Sequence, residues 1–227
     1  MNNQLVETKL EILINITIIV LTILFFNKYC INYITSENFG NVEVKKEYNP
    51  EENDIAVVLT TAVEPTTMKQ DLASRVELDQ EIKKRLGIYS DTIDKYLDNT
   101  NINIFIIEST GNSLLGDKYK DNKRIIFHTF NKKDNKFFFN IDNNSTSSYE
   151  AYSLLKAYQI FGLHKYNKIL KITGRYYVPN IEKILDELQD APDIYVQYLY
   201  HEDLVHQRSE VFGMKSYLCP GIMINVI

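Results

Sequence analysis

Apolar residues along this chain gather into one long run and several short ones. The long run, Ile12 to Phe26, carries no charge and lies between Glu11 and Lys28. As a helix rising about 1.5 Å per residue it covers roughly 22 Å, short of a hydrocarbon core of about 30 Å. Asn27 to Ile34 supply the missing turns if Lys28 snorkels, and thin membranes tolerate short spans. The small residues of a signal-cleavage site are missing after Phe26. Residues 1–35 are therefore expected to form an uncleaved, single-pass membrane anchor, with a cleaved signal peptide and a buried helix as its rivals. Lys9 stands on one side of the run and Lys28, Lys45 and Lys46 on the other, which leaves the orientation open. Residues 36–53, with Gly40, Pro50 and several charges, read as a stem.

The short runs occupy residues 54–227. Ile55-Ala56-Val57-Val58-Leu59 shows no alternation, the pattern of a strand buried on both faces, and it ends in Thr60-Thr61. Leu72, Val76, Leu78 or Ile82, and Leu86 fall at near-helical spacing. They predict a helix from Met68 to Leu86 stopped by Gly87, then a second helical piece from Ser90 to Leu97. Ile102 to Ile107 is a second buried strand, ending in Glu108-Ser109-Thr110-Gly111, and Arg124 to Phe130 and Lys136 to Ile141 suit short strands. Ser147 to Phe161 reads as a helix with Tyr149, Tyr152, Leu155, Ala157 and Ile160 inward and Gly162 as its stop. Ile169 to Val178 reads as a strand broken by Thr173-Gly174-Arg175; Pro179 then opens a helix from Ile181 to Leu188, and Ile194 to Tyr200 is a further strand. Such alternation predicts an α/β domain with a parallel or mixed sheet covered by helices, whose ligands belong at the carboxyl ends of the strands.

Composition narrows the function classes. A chain of 227 residues, 44% hydrophobic and 24% charged, fits one folded domain plus an appendage. The net charge of -5 leaves no excess of Lys and Arg to neutralise a phosphate backbone, so no nucleic-acid partner is expected. Two cysteines, Cys30 and Cys219, cannot build a disulfide framework or a cysteine metal site. His201 and His206 have the wrong spacing for two zinc ligands on one helical face, which need positions i and i+4. If the domain faces a eukaryotic lumen, Asn143 and Asn144 are glycosylation acceptors.

Lys171-Ile172-Thr173-Gly174-Arg175-Tyr176 follows a helix containing Glu150 and precedes a strand leading into Gln207-Arg208-Ser209-Glu210-Val211-Phe212-Gly213. This arrangement resembles a group of GT-A-type glycosyltransferases of bacterial surface polysaccharides and large DNA viruses; Ile107-Glu108-Ser109 resembles that group's second-strand ending. The resemblance implies a GT-A-like (Rossmann-like) mixed sheet flanked by helices. It further implies a nucleotide-sugar donor and a glycan, glycolipid or protein acceptor at a membrane. Enzymes of this type hold Mn²⁺ or Mg²⁺ with an Asp-x-Asp at the end of an internal strand. Here the comparable strand ends in Thr173-Gly174-Arg175, which leaves three alternatives: a guanidinium, which chelates phosphate oxygens bidentately, balances the diphosphate, Mn²⁺ or Mg²⁺ binds without the Asp-x-Asp, or the site has been lost.

On that reading the donor-binding candidates are Thr60, Thr61, Glu64, Glu108, Ser109, Lys171, Gly174, Arg175 and Tyr176, with Glu210 as the base for an acceptor hydroxyl. Each has a plainer alternative. Arg175 could instead pair a buried carboxylate such as Glu150 or Glu210, and the threonines and Glu64 could be ordinary loop residues. Tyr176 and Tyr177, read as strand residues, would point to opposite faces. The rival function is a non-catalytic, membrane-anchored α/β binding or assembly module that has kept the fold.

Overall fold

The computed structural model describes residues 55–65, 75–131, 146–189, 193–201 and 204–226. The anchor expected at 1–35, the stem at 36–53, the strand expected over Lys136 to Ile141 and the acceptors Asn143 and Asn144 lie outside these residues. Among the described residues, no helix is long and apolar enough to cross a membrane.

In chain order the elements are β1 (Ile55–Thr61), α1 (Arg75–Asn99), β2 (Ile104–Glu108), α2 (Leu114–Tyr119), β3 (Ile125–Thr129), α3 (Thr146–Ile160), β4 (Lys168–Thr173), α4 (Ile181–Leu188), β5 (Ile194–His201), β6 (Leu204–Lys215) and α5 (Cys219–Val226). The strands form one mixed sheet in the order β3-β2-β1-β4-β6-β5. Pairings β1 with β2, β1 with β4 and β2 with β3 are parallel, and β6 runs antiparallel to both its neighbours. Every residue of β1 and β2 is buried, as their unbroken apolar runs require, because helices cover both faces. Val57, Leu59, Ile104 and Ile106 pack with Tyr89, Ile93 and Tyr96 of α1, Leu115 of α2 and Ile181 of α4. Ala56, Val58, Phe105 and Ile107 pack on the other face with Leu154 and Ala157 of α3 and Cys219 and Met223 of α5.

Two expectations are corrected, and a segment left unassigned by the sequence proves to be a strand. Gly87 does not stop a helix: α1 runs through it to Asn99. A mid-helix glycine costs about 1 kcal/mol relative to alanine, whereas each large apolar side chain buried beyond it contributes about 1.5–3 kcal/mol. The seam of Ile82, Leu86, Tyr89, Ile93 and Tyr96 spans the glycine with helical spacing, so burial decides. Tyr176 and Tyr177 are not strand residues, since β4 ends at Thr173. The segment after it is instead stapled to α1: the Tyr96 hydroxyl donates to Tyr176 O at 3.2 Å and accepts from Val178 N at 3.0 Å, and the Tyr177 ring meets Tyr96 edge-on at 5.0 Å. Finally, the motif ending at Gly213 is itself a long strand, β6. Gly213 is required there, because a Cβ would sit 1.9 Å from the ring of Tyr195, whose hydroxyl crosses to Ile169 O at 3.3 Å.

Candidate functional site

The sheet order reverses at β1, which has β2 on one side and β4 on the other. Open α/β sheets bind their ligands outside the carboxyl ends of the strands where the order reverses. The two faces of the β1–β4 pair are built differently.

On the α3 face, two-residue alternation carries Thr60 beyond Ala56 and Val58, and Lys171 and Thr173 beyond Ile169. Glu150, in the first half of α3, reaches across to them. Its Oε1 accepts from Thr60 Oγ1 at 3.1 Å and Thr173 Oγ1 at 2.7 Å, and it pairs with Lys171 Nζ, which also donates to Thr173 Oγ1 at 2.9 Å. The Lys171 side chain is wholly buried, with Nζ 5.2 Å from the centre of the Phe212 ring, while Glu150 keeps 23% of its side chain exposed. Burial pushes the Lys171 ammonium below the ordinary lysine range; Glu150 and Glu210 pull it back and Arg175 adds to the drop. Glu210 precedes Val211, the partner of Ile172, and so lies where β4 ends. Thr60, Lys171, Glu150 and Glu210 are thus gathered on one face, with Thr60, Lys171 and Glu150 directly bonded.

At the end of β2, Glu108 is fully buried and accepts five hydrogen bonds: from Val63 N at 3.0 Å, Thr110 Oγ1 at 2.5 Å, and Thr110 N, Asn112 N and Thr129 Oγ1 at 2.8–2.9 Å. One carboxylate therefore ties together the loops after β1 and β2 and the end of β3. Ser109 donates to Thr61 O through both its amide and its hydroxyl, and Thr61 Oγ1 donates to Ile107 O. Glu64 sits outside this lattice, half-buried, its amide donating to Thr110 Oγ1 at 3.2 Å.

The α1 face is more open. Gly174 donates its amide to Thr60 O at 2.9 Å and is pressed so tightly on β1 that a Cβ would lie 2.6 Å from Thr61 Cγ2 and 3.3 Å from Tyr89 Cδ1. Its lack of a side chain thus serves close approach to the neighbouring strand and α1. Arg175 follows at once, exposed, its guanidinium 5.1 Å from the centre of the Tyr176 ring. It forms no ion pair among the described residues; Glu150 takes Lys171 instead. Beside it, the Tyr89 hydroxyl lies 3.3 Å from both N and O of Ala62, the residue after β1, and Arg85 Nη1 donates to the same Ala62 O at 3.1 Å. Sequence reasoning passed over Arg85, which reads as one more charge on a helix.

Among the described residues, no three His, Cys, Asp or Glu side chains gather in a way that could hold a metal. Glu108 and Glu150 do not fit that task, since Glu108 is consumed by five donors and Glu150 by Lys171 and two threonines.

Fold and site together define a mixed α/β protein with polar side chains gathered at the carboxyl ends of its central strands and an exposed guanidinium that has no ion pair among the described residues. No family model and no curated protein matches the chain. Among solved structures it is similar to a provisionally assigned nucleotide-diphospho-sugar transferase from Desulfovibrio desulfuricans G20, at 14% identity and a TM-score of 0.45 over 75% of this chain and 68% of that one.

Proposed function

We propose that the chain is a GT-A-like glycosyltransferase that moves a sugar from a nucleotide-sugar donor to a glycan, lipid-linked or protein acceptor at a membrane surface, held there by residues 1–35. The observation that carries this reading is Arg175: exposed, without an ion-pair partner among the described residues, and at the end of β4 beside the switch point. A guanidinium there can take two diphosphate oxygens at once and offset the charge that builds on the leaving group. Glu210, which precedes the strand partner of Ile172, is assigned in this scheme as the base for an acceptor hydroxyl. Thr60, Thr61, Glu108 and Ser109 act in this scheme through the backbone they hold at the strand ends, and Glu64 and Tyr176 line the donor site. No step is routed through Mn²⁺ or Mg²⁺, because Glu108 and Glu150 are held by internal donors.

A second reading, a binding module without catalysis, is favoured by the internal use of Glu108 and Glu150. Thermal unfolding of the full-length chain with UDP-, GDP-, CMP- and dTDP-sugars tests the first: a true donor raises the melting temperature by mass action. Release of UDP, GDP, dTDP or CMP from the donor that binds, dependent on an acceptor, then separates enzyme from module. Absence of any shift across the panel removes the donor.

A further inference from the structure

We infer that Arg85 is a second phosphate-binding residue, forming with Arg175 a two-guanidinium clamp for a diphosphate. Its assignment to a nucleotide sugar rests on the reading above. Only the latter half of α1 is deeply buried, at Tyr89, Thr92, Ile93 and Tyr96, and Arg85 lies just before it. Arg85 reaches Ala62 O at 3.1 Å from α1. Arg175 arrives from β4 through Gly174, which packs against Tyr89, and Tyr89 in turn holds Ala62. Arg85 thus bonds the residue that follows β1, while Arg175 follows the glycine pressed against the end of β1 and Tyr89. Burial raises the Tyr89 hydroxyl above its ordinary pKa, while the charges of Arg85 and Arg175 both draw it down, as expected for two cations close to one phenol.

Arg85 is already engaged by Glu81, whose Oε1 accepts from Nε at 3.0 Å. The contact does not exclude an anion. Arg85 is 31% exposed and Glu81 33%, and an i,i+4 pair of that kind shifts an equilibrium by only about two-fold. A diphosphate held by charge-assisted, bidentate bonds shifts it by about ten-fold or more. Glu81 is then a mild competitor that keeps the fork oriented until the diphosphate displaces it.

Calorimetric titration of the full-length chain with inorganic diphosphate, UDP, GDP and uridine tests the clamp, with melting temperature recorded for every variant. Arg85→Gln and Arg175→Gln are each expected to weaken inorganic diphosphate by about ten-fold or more. Glu81→Gln is expected to tighten it by about two-fold. Uridine, which has no phosphate, should respond to none of them; a loss of uridine binding in Arg85→Gln would mean that Arg85 only shapes the loop at Ala62, and would overturn the clamp. Should Arg85→Gln fail to fold, Arg85→Lys keeps the charge and loses the fork, and unchanged diphosphate affinity in that variant is equally fatal. If nucleotides bind and only Arg175 variants weaken them, the donor reading survives and the clamp falls. If inorganic diphosphate binds through both arginines but no nucleotide sugar binds, the clamp stands and the donor reading falls. A parent protein that takes up no diphosphate in any form sinks both.

Discussion

The two faces at the carboxyl ends of β1 and β4 use charge in opposite ways. On the α3 face, Lys171 is wholly buried and its ammonium is consumed by Glu150 and Thr173. On the α1 face, Arg175 and Arg85 keep contact with solvent, one without an ion pair among the described residues and one with a partly exposed carboxylate. A buried ammonium must be compensated by the protein itself, since desolvation of a lone charge costs several kcal/mol. A partly hydrated guanidinium carries no such obligation, and its charge remains available to something that arrives later. The difference separates a cation compensated inside the protein from cations left open to solvent, although both lie at the same strand ends.

The largest expected effect tests the α3 face. Glu150→Ala leaves Lys171 buried without its carboxylate and should lower unfolding free energy by about 3–5 kcal/mol in a denaturant titration, with donor affinity of the folded fraction little changed. A loss below about 1 kcal/mol would erase the contrast between the faces. Next, Arg175→Lys, which keeps the charge and removes the fork, should weaken donor binding by about 1–3 kcal/mol at an unchanged melting temperature. A fall in stability with unaltered donor affinity would make this face structural as well.

A smaller effect appears with pH. Because the folded chain holds Lys171 below the ordinary lysine value of about 10.4, the unfolded chain binds more protons there between the two values. Stability from this group therefore rises with pH across that window and falls as pH drops through the folded value. The stability difference between the parent and Lys171→Met should move in the parent's favour as pH approaches about 10.4. Drift in the opposite direction would mean that Glu150, not burial, dominates the ammonium. The smallest effect concerns the helix that carries the open face. A Cβ at Gly87 meets nothing within 4 Å, so Gly87→Ala should stabilise by about 0.5–1 kcal/mol and leave ligand affinity alone.

The central strands were legible because burial on both faces forces an unbroken apolar run, as in Ile55 to Leu59 and Ile104 to Ile107. The break expected at Gly87 was a propensity argument, and propensity yields to a seam that continues past it. β6 was hidden because His206-Gln207-Arg208-Ser209-Glu210 gives no apolar alternation, and its strand state depends on partners β4 and β5. The polar ending Thr173-Gly174-Arg175 after an apolar run marked where β4 ends. The sequence offered Glu150 to Arg175 as a partner. Alternation along β4 gives it instead to Lys171, whose side chain faces α3. Arg85 could not be told from Lys83 and Lys84 until the fold turned it toward Ala62.

The sheet order also has a kinetic side. β5 and β6 are neighbours in the chain and close as a local hairpin, whereas Ile55 of β1 must find Lys168 of β4 across much of the domain. Hairpins form in about 1–10 μs, but pairings between distant segments bear the full entropy of loop closure and are slow. The β1–β4 pairing is expected to close after the β5–β6 hairpin. Slow refolding should therefore trace to the β1–β4 seam, and substitutions at Ile169 or Val58 should retard folding more than substitutions in the β5–β6 hairpin.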